Sequence, residues 1–246
     1  PSGSPMLVFS GLDSSVAGSV ESAFAVAGRT VVSNAKNYRM DSDVPLLIPE
    51  INADHLDLLQ RQSETRTWPG KIVTNPNCST IIMTLALAPL CQFGLERVIV
   101  TTLQAISGAG YPGVSSLDIL GNIVPHIPGE ESKIELETQK ILGSLSGGSV
   151  QPHDVVVSAQ ATRVPVLNGH TAIISVKLTD QPTHEGIADA FRSYQGRPQV
   201  ERLPSAPKQP IVYMSDADRP QPRYDVNREN GMAVTVGRLR KCPVLG

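Results

Sequence analysis

The sequence predicts an α/β unit followed by an α+β unit, on three observations. Short apolar runs alternate with helical segments over the first part of the chain, as parallel βαβ units require. After Cys78 the apolar runs lengthen and fewer helices separate them. Between the two patterns lies Thr74-Asn75-Pro76-Asn77-Cys78-Ser79-Thr80, a polar turn in which Pro76 fixes its own φ and biases Asn75 toward extended backbone. The expected domains are residues 1–77 and 78–246.

Met6 to Ser10 reads as a buried strand, and Gly11 to Ser15 turns into a helix that runs through Val20, Phe24 and Val26 to a stop at Gly28. Thr30 to Ser33 and Val44 to Ile48 read as the second and third strands, Asn52 to Gln62 as helical, and Lys71 to Val73 as a short strand entering the cysteine turn. The first thirty residues contain no GxGxxG or similar glycine-rich turn between a strand and a helix. Beyond Cys78 an apolar helix runs to Cys91, Leu95 to Ile106 is strand-like, and Ser107 to Gly113 forms a loop that bends too sharply for bulky residues. Glu130 to Gly143 reads as an amphipathic helix with Ile134, Ile141 and Leu142 on one side. Val155 to Thr162 and Thr171 to Leu178 are β-rich, Pro182 to Tyr194 is helical, and Ile211 to Met214 and Met232 to Arg238 close the chain as strands.

Composition excludes several function classes. The net charge of −2 over 246 residues leaves no electrostatic footprint for nucleic acid or an anionic membrane. No apolar run approaches the roughly 20 residues of a membrane span, and the N-terminus carries no signal-like segment. Three dispersed cysteines with no CxxC argue against both a disulfide framework and a zinc site, so no metal is expected and a reducing, cytoplasmic setting is.

Chemistry concentrates at a few positions. Cys78 opens an apolar helix, where unpaired N–H groups and the macrodipole favour a thiolate; Cys91 and Cys242 lack such a turn and read as structural. His170 follows Asn168-Gly169 and opens a strand, so a turn presents it, whereas His55, His126, His153 and His184 have no comparable setting. Arg163, seven residues before His170, has the planar fork that grips a carboxylate, with an ordinary ion pair as the alternative reading. Glu130 and Lys133 share one helical face, the spacing of a solvated ion pair or of a binding pair. Gln104, in an otherwise buried strand, requires partners for its amide.

Asn-Pro-Asn-Cys-Ser-Thr at 75–80, Ser-Gly-Ala-Gly-Tyr-Pro-Gly at 107–113 and Arg-Val-Pro-Val-x-x-Gly-His at 163–170 together resemble the aspartate-semialdehyde dehydrogenases, in the version of the archaeal and fungal branch. The resemblance runs from Ser10 to Gly237-Arg238-Leu239-Arg240, essentially the whole chain. It implies an NADPH-dependent reductive dephosphorylation of L-aspartyl-4-phosphate through a cysteine thioester, on the route to lysine, methionine and threonine. It implies a Rossmann-type NADP-binding α/β domain, here a remnant, and an α+β catalytic and dimerisation domain like that of glyceraldehyde-3-phosphate dehydrogenase.

The same resemblance implies roles by position. Cys78 is the nucleophile, His170 the acid/base and Gln104 the substrate-orienting amide; Arg163 meets the substrate carboxylate, Glu130 its amino group and Lys133 the phosphate. Asn34, Arg39 and Asn77 lie on the inorganic-phosphate side, and Ser10, Gly11, Leu12, Ser107 and Gly108 on the cofactor side. Further implications are a homo-oligomer, dimer or tetramer, and a chain that begins after the family's glycine-rich turn and stops before its last segment. The expectation is therefore a folded fragment with weakened NADP binding and no turnover. Three other readings stay open: another phosphorylating aldehyde dehydrogenase or acyl-phosphate reductase, a papain-like cysteine hydrolase, and a non-catalytic oligomer-forming remnant. Amide or ester hydrolysis without nucleotide would mark the hydrolase.

Overall fold

A computed structural model describes residues 3–245, which group into two compact units. Residues 1–77 join 139–153 in the first, and 78–138 join 154–246 in the second, so the first unit takes a segment that the sequence reading places in the second domain.

The first unit holds a three-stranded parallel sheet, β1 (Leu7–Ser10), β2 (Thr30–Ser33) and β3 (Lys71–Thr74), in that order. Helix α1 (Ser14–Val26) makes the crossover from β1 to β2; Asp13 caps it by accepting from the Ser15 N–H at 2.9 Å, and Gly28 takes the positive φ, +79°, that lets the chain turn back. Ala25, Val31, Val44 and Ile72 form the fully buried centre, flanked by Phe24, Tyr38 and Trp68. Each buried valine or isoleucine contributes ~1.5–3 kcal/mol. Strand β1 lies at the edge of this sheet, with Leu7 and Phe9 exposed.

One expected strand shrinks to a bridge here and one expected helical stretch is divided, each for an identifiable reason. The segment from Val44 to Ile48 makes one parallel bridge, Leu46 to Thr74, rather than a strand. Pro45 contributes only its carbonyl, which accepts from Thr74 N at 2.9 Å, and Pro49 starts a helical turn, Pro49–Asn52. Asn52 to Gln62 is helical as expected, but the α-helical turn gives way after Asn52 to a 3₁₀ turn, Ala53–Asp57. Asn52 is buried and spends its amide on Leu46 O at 2.9 Å, on Ile48 N–H at 2.8 Å and on the His55 ring at 3.0 Å, so α-helix resumes only at α2 (Leu58–Thr65). His55 is a satisfied core histidine, with its other ring nitrogen 3.1 Å from Gly143 O.

The segment 139–153 carries a short hairpin, Ser144–Ser146 with Ser149–Gln151, which the sequence reading did not anticipate. Lys140 anchors it. Its buried ammonium donates to the carbonyls of Arg39, Asp41 and Val44 at 2.7, 2.8 and 2.9 Å, three acceptors for three N–H groups.

The second unit begins with α3 (Cys78–Leu87), whose Met83, Leu85 and Leu87 are buried. Cys91 lies beyond it, in the 3₁₀ turn Ala88–Phe93, and Gly94 reverses the chain with φ +73°. The sheet has β4 (Leu95–Gln104) at its centre, β5 (Val156–Arg163) parallel on one side and β6 (Thr171–Leu178) antiparallel on the other. Helix α4 (Glu130–Ile141) leads toward β5, α5 (His184–Ser193) follows β6, and β7 (Ile211–Met214) with β8 (Val234–Gly237) makes a second parallel pair. Among the described residues no helix is long and apolar enough to cross a membrane.

The short helix Pro222–Asp225 is fixed by Asp225, a buried carboxylate that accepts from Arg219 Nε at 2.9 Å, Arg228 Nε at 2.9 Å and Gln221 N at 2.7 Å. Arg219 above all holds its carboxyl below the usual carboxylate range. Because the folded value is depressed, the stabilisation is present above the ordinary aspartate value and is lost as pH falls through the folded one. Asp225→Ala should cost roughly 3 kcal/mol in urea unfolding at neutral pH, at the low end for a broken buried pair because both arginines keep part of their surface in water. The difference from wild type should shrink on acidification; an equal difference at every pH would exclude the ion cluster as its cause.

Candidate active site

The second unit brings one cysteine and one histidine into contact. Cys78 is the first residue of α3 and reaches solvent; His170 immediately precedes β6, and its Nε2 lies 3.3 Å from Cys78 Sγ. The turn that presents the histidine is set by Gly169, at φ +88°, where a Cβ would meet Pro222 Cβ at 3.1 Å and Val226 Cγ2 at 3.2 Å. The Asp225 cluster thus backs the turn that presents His170.

Sheet register assembles the next layer. Gln104 and Arg163 are paired partners at the carboxyl ends of the parallel strands β4 and β5, and both are buried. Gln104 Nε2 donates to Glu130 Oε1 at 3.2 Å, and Lys133 Nζ lies 3.1 Å from Glu130 Oε2. Glu130 is itself buried, so this pair is built into the fold and is not a solvated surface contact. Arg163 Nη1 donates to Ala105 O at 2.7 Å, while Ala105 N donates to His170 Nδ1 at 3.0 Å. One peptide residue therefore orients both the arginine and the histidine. Sequence reading missed Ala105, because a main-chain donor leaves no residue-type signal.

Ser107 and Gly108 follow in the 3₁₀ turn Ile106–Ala109, a regular element where an irregular loop was expected. A Cβ on Gly108 would stand 2.7 Å from His170 Cε1, 2.9 Å from its Nε2 and 3.3 Å from Arg163 Nη1. Glycine is required here by the ring beside it.

Electrostatics correct one expectation. Burial first, and then the negative Glu130, push the Cys78 thiol above its ordinary value, against hydrogen bonds from Ser79 that favour the anion. The helix start does not make Cys78 a thiolate at neutral pH. Burial and the neighbouring Arg163 push His170 below the usual histidine value, so both members rest uncharged. Cys91 is pushed up to about 11 by burial, whereas main-chain hydrogen bonds from Leu245 and Val244 lower Cys242, which does not fit the inert part first given to it.

In the first unit, Ser10 ends β1 and donates to Glu21 Oε1 at 2.6 Å; Gly11 and Leu12 are exposed in the loop before α1. A loop at the carboxyl end of a parallel strand is where a dinucleotide lies. The start of α1 is less suited to pyrophosphate, since the Asp13 carboxylate takes the Ser15 N–H there. Asn34 is exposed, Arg39 is buried with Nη2 on Asn34 O at 2.8 Å, and Asn77 is buried at the end of the first unit's leading segment. Among the described residues no three His, Cys, Asp or Glu side chains group as metal ligands would.

Residues 4–59 match the model of the semialdehyde dehydrogenase NAD-binding domain, and residues 87–246 that of the semialdehyde dehydrogenase dimerisation domain. Over 248 aligned residues the chain is 52% identical to aspartate-semialdehyde dehydrogenase of Cryptococcus neoformans, covering 97% of this chain and 68% of that one. It is 48% identical to the enzyme of Archaeoglobus fulgidus, over 96% of this chain and 67% of the relative. Among solved structures it resembles Candida albicans aspartate-semialdehyde dehydrogenase with NADP, at TM-score 0.88 and 44% identity over 98% of this chain and 70% of that one.

Iodoacetamide labelling of Cys78 should climb about tenfold per pH unit through neutrality, as for a thiol still below its pKa. At about pH 7 Cys242 should label first and Cys91 last by peptide mapping. A Cys78 rate that is flat across this range would show that its thiolate is already formed.

Proposed function

The chain belongs to the aspartate-semialdehyde dehydrogenase family, and from that premise we propose that it converts L-aspartyl-4-phosphate to L-aspartate 4-semialdehyde through a thioester on Cys78. One observation carries the reading: an exposed cysteine in contact with a half-buried histidine, within a shell of Gln104, Glu130, Lys133 and Arg163. NADP, when bound, supplies hydride exchange at the thioester carbon. Ser10, Gly11 and Leu12 of the first unit, and Ser107 and Gly108 of the second, are the candidates that would hold it.

In this assignment Arg163 takes the substrate carboxylate. Its planar guanidinium is aimed by the Ala105 carbonyl, so little freedom is lost on binding. Glu130 takes the substrate ammonium and is held in place by Gln104 and Lys133. Lys133 takes the phosphoryl oxygens; Arg39, Asn34 and Asn77 are the further candidates for inorganic phosphate. Gln104, anchored on Glu130 and on Thr102 Oγ1 at 3.3 Å, orients the reacting group. His170 faces the reacting sulfur and serves the oxygen that becomes charged. The phosphate ligand, a homodimer or tetramer built on the dimerisation domain, and a cytoplasmic location belong to the same proposal, the last supported by three free cysteines and no disulfide.

Phosphate-dependent reduction of NADP by aspartate semialdehyde tests the reaction directly, and turnover here would overturn the expectation of none. Arg163→Leu should raise KM for the aldehyde at least about 30-fold, the equivalent of 2 kcal/mol, and leave KM for phosphate nearly unchanged. Lys133→Met should do the reverse, and equal shifts in both constants would break the assignment. Gly108→Ala should lower kcat about 100-fold by displacing the imidazole, with little change in either KM.

A further inference from the structure

Helix α1 buries Ala17, Glu21 and Ala25 along one face, so a carboxylate stands in a row of alanines. A buried carboxylate is costly and needs partners for its oxygens. Glu21 Oε1 has two: it accepts from Ser10 Oγ at 2.6 Å and from Ser33 Oγ at 2.7 Å, the lengths of charge-assisted bonds. These serines are register partners at the carboxyl ends of β1 and β2. Oε2 is buried and makes no hydrogen bond among the described residues, so the two serines alone hold this side chain there. If Glu21 served packing only, an apolar side chain of similar size would serve as well.

Ser33 is fully buried, and its hydroxyl is engaged on both sides. With its hydrogen directed at Glu21, the oxygen accepts the Ala35 N–H at 3.0 Å. That N–H shares a planar peptide with the Asn34 carbonyl, which accepts from Arg39 Nη2 at 2.8 Å. In a trans peptide N–H and C=O point in opposite directions, so holding the first fixes the aim of the second. Without the carboxylate, the Ser33 hydrogen has to turn toward another acceptor, and the lone pair offered to Ala35 turns with it.

We infer that Glu21 is a positioning residue for Arg39: through Ser33 it locks the Asn34–Ala35 peptide, so that the guanidinium is aimed before inorganic phosphate arrives. The inference rests on the assignment of Arg39 to phosphate made above. It gives a part in that site to a helix residue that acts only through its neighbours.

Amide hydrogen exchange tests the relay in the chain itself. In Glu21→Leu and in Ser33→Ala the Ala35 amide should exchange about tenfold faster than in wild type, the effect of losing one hydrogen bond. The amides of Val31 and Val32, within β2, should keep their wild-type rates. Glu21→Gln, which retains an oxygen acceptor for the serines, should leave the Ala35 rate near that of wild type. A uniform rise along β2 would show that Glu21 only supports the fold, and an unchanged Ala35 rate in Glu21→Leu would show that Ser33 needs no carboxylate. Either result overturns the relay.

Kinetics read its consequence. Glu21→Leu and Ser33→Ala should each raise KM for phosphate about tenfold, leave kcat and KM for the aldehyde within about twofold, and together do no more than either alone. Glu21→Gln should recover most of the wild-type value. Ser33→Ala leaves Glu21 bonded to Ser10, so it carries this arm if Glu21→Leu does not fold. Equal shifts in both KM values, or additive losses in the double variant, would overturn the positioning role. An unchanged phosphate KM in Arg39→Leu, or a wild-type chain without phosphate-dependent turnover, would instead overturn the functional reading beneath it, while the exchange rates still decide whether Glu21 holds the peptide.

Discussion

The residue on which the site depends most is Ala105, through both ends of its backbone. Its N–H holds His170 and its carbonyl holds Arg163, so the ring facing the sulfur and the buried guanidinium share one rigid reference. That reference is itself fixed by the parallel register of β4 and β5, which sets Gln104 beside Arg163 one residue earlier. Side chains on loops would drift by more than a catalytic contact tolerates; anchoring to a strand end restricts them. Glu130, brought in at the start of α4, closes the arrangement by binding Gln104 and Lys133.

The electrostatic balance follows from the protein packed around the sulfur and the ring, although the sulfur still reaches solvent. An open helix start would lower a thiol, and the Ser79 hydrogen bonds act in that direction. Burial and a carboxylate nearby outweigh them. The same burial keeps the imidazole neutral, with Arg163 adding to the effect. A resting thiol is protected from chance oxidants, and a substrate whose carboxylate neutralises Arg163 and whose ammonium neutralises Glu130 would alter both shifts as it binds.

Much of this was legible in the residues. The Asn-Pro-Asn-Cys turn, the glycine before His170 and the spacing from Arg163 all marked positions where backbone and chemistry agree. The parallel order of the first three strands followed from their alternation with helix. What escaped was written in the main chain or in long-range partners. Ala105 has no distinguishing side chain. Asn52 ended a helix because it found Leu46 and His55, and Pro45 limited an apolar run to one bridge; neither could be weighed before the partners were known. The direction of the Cys78 shift came first from burial and then from Glu130, 52 positions away in the chain, and neither is written around the cysteine itself.

Lys140 bears on how the polypeptide is made. Its ammonium supplies the hydrogen bonds for three carbonyls between Arg39 and Val44, and Gly143 supplies the acceptor for His55, so the first unit lacks buried partners until residues 139–153 exist. Synthesis from the N-terminus delivers its parallel strands early and their last stabilising contacts late, after β4 and most of α4 have left the ribosome. Unpaired buried carbonyls are costly, which delays completion of the leading unit and leaves its apolar sheet open to chaperones during that interval. The nascent chain thus folds against its order of synthesis.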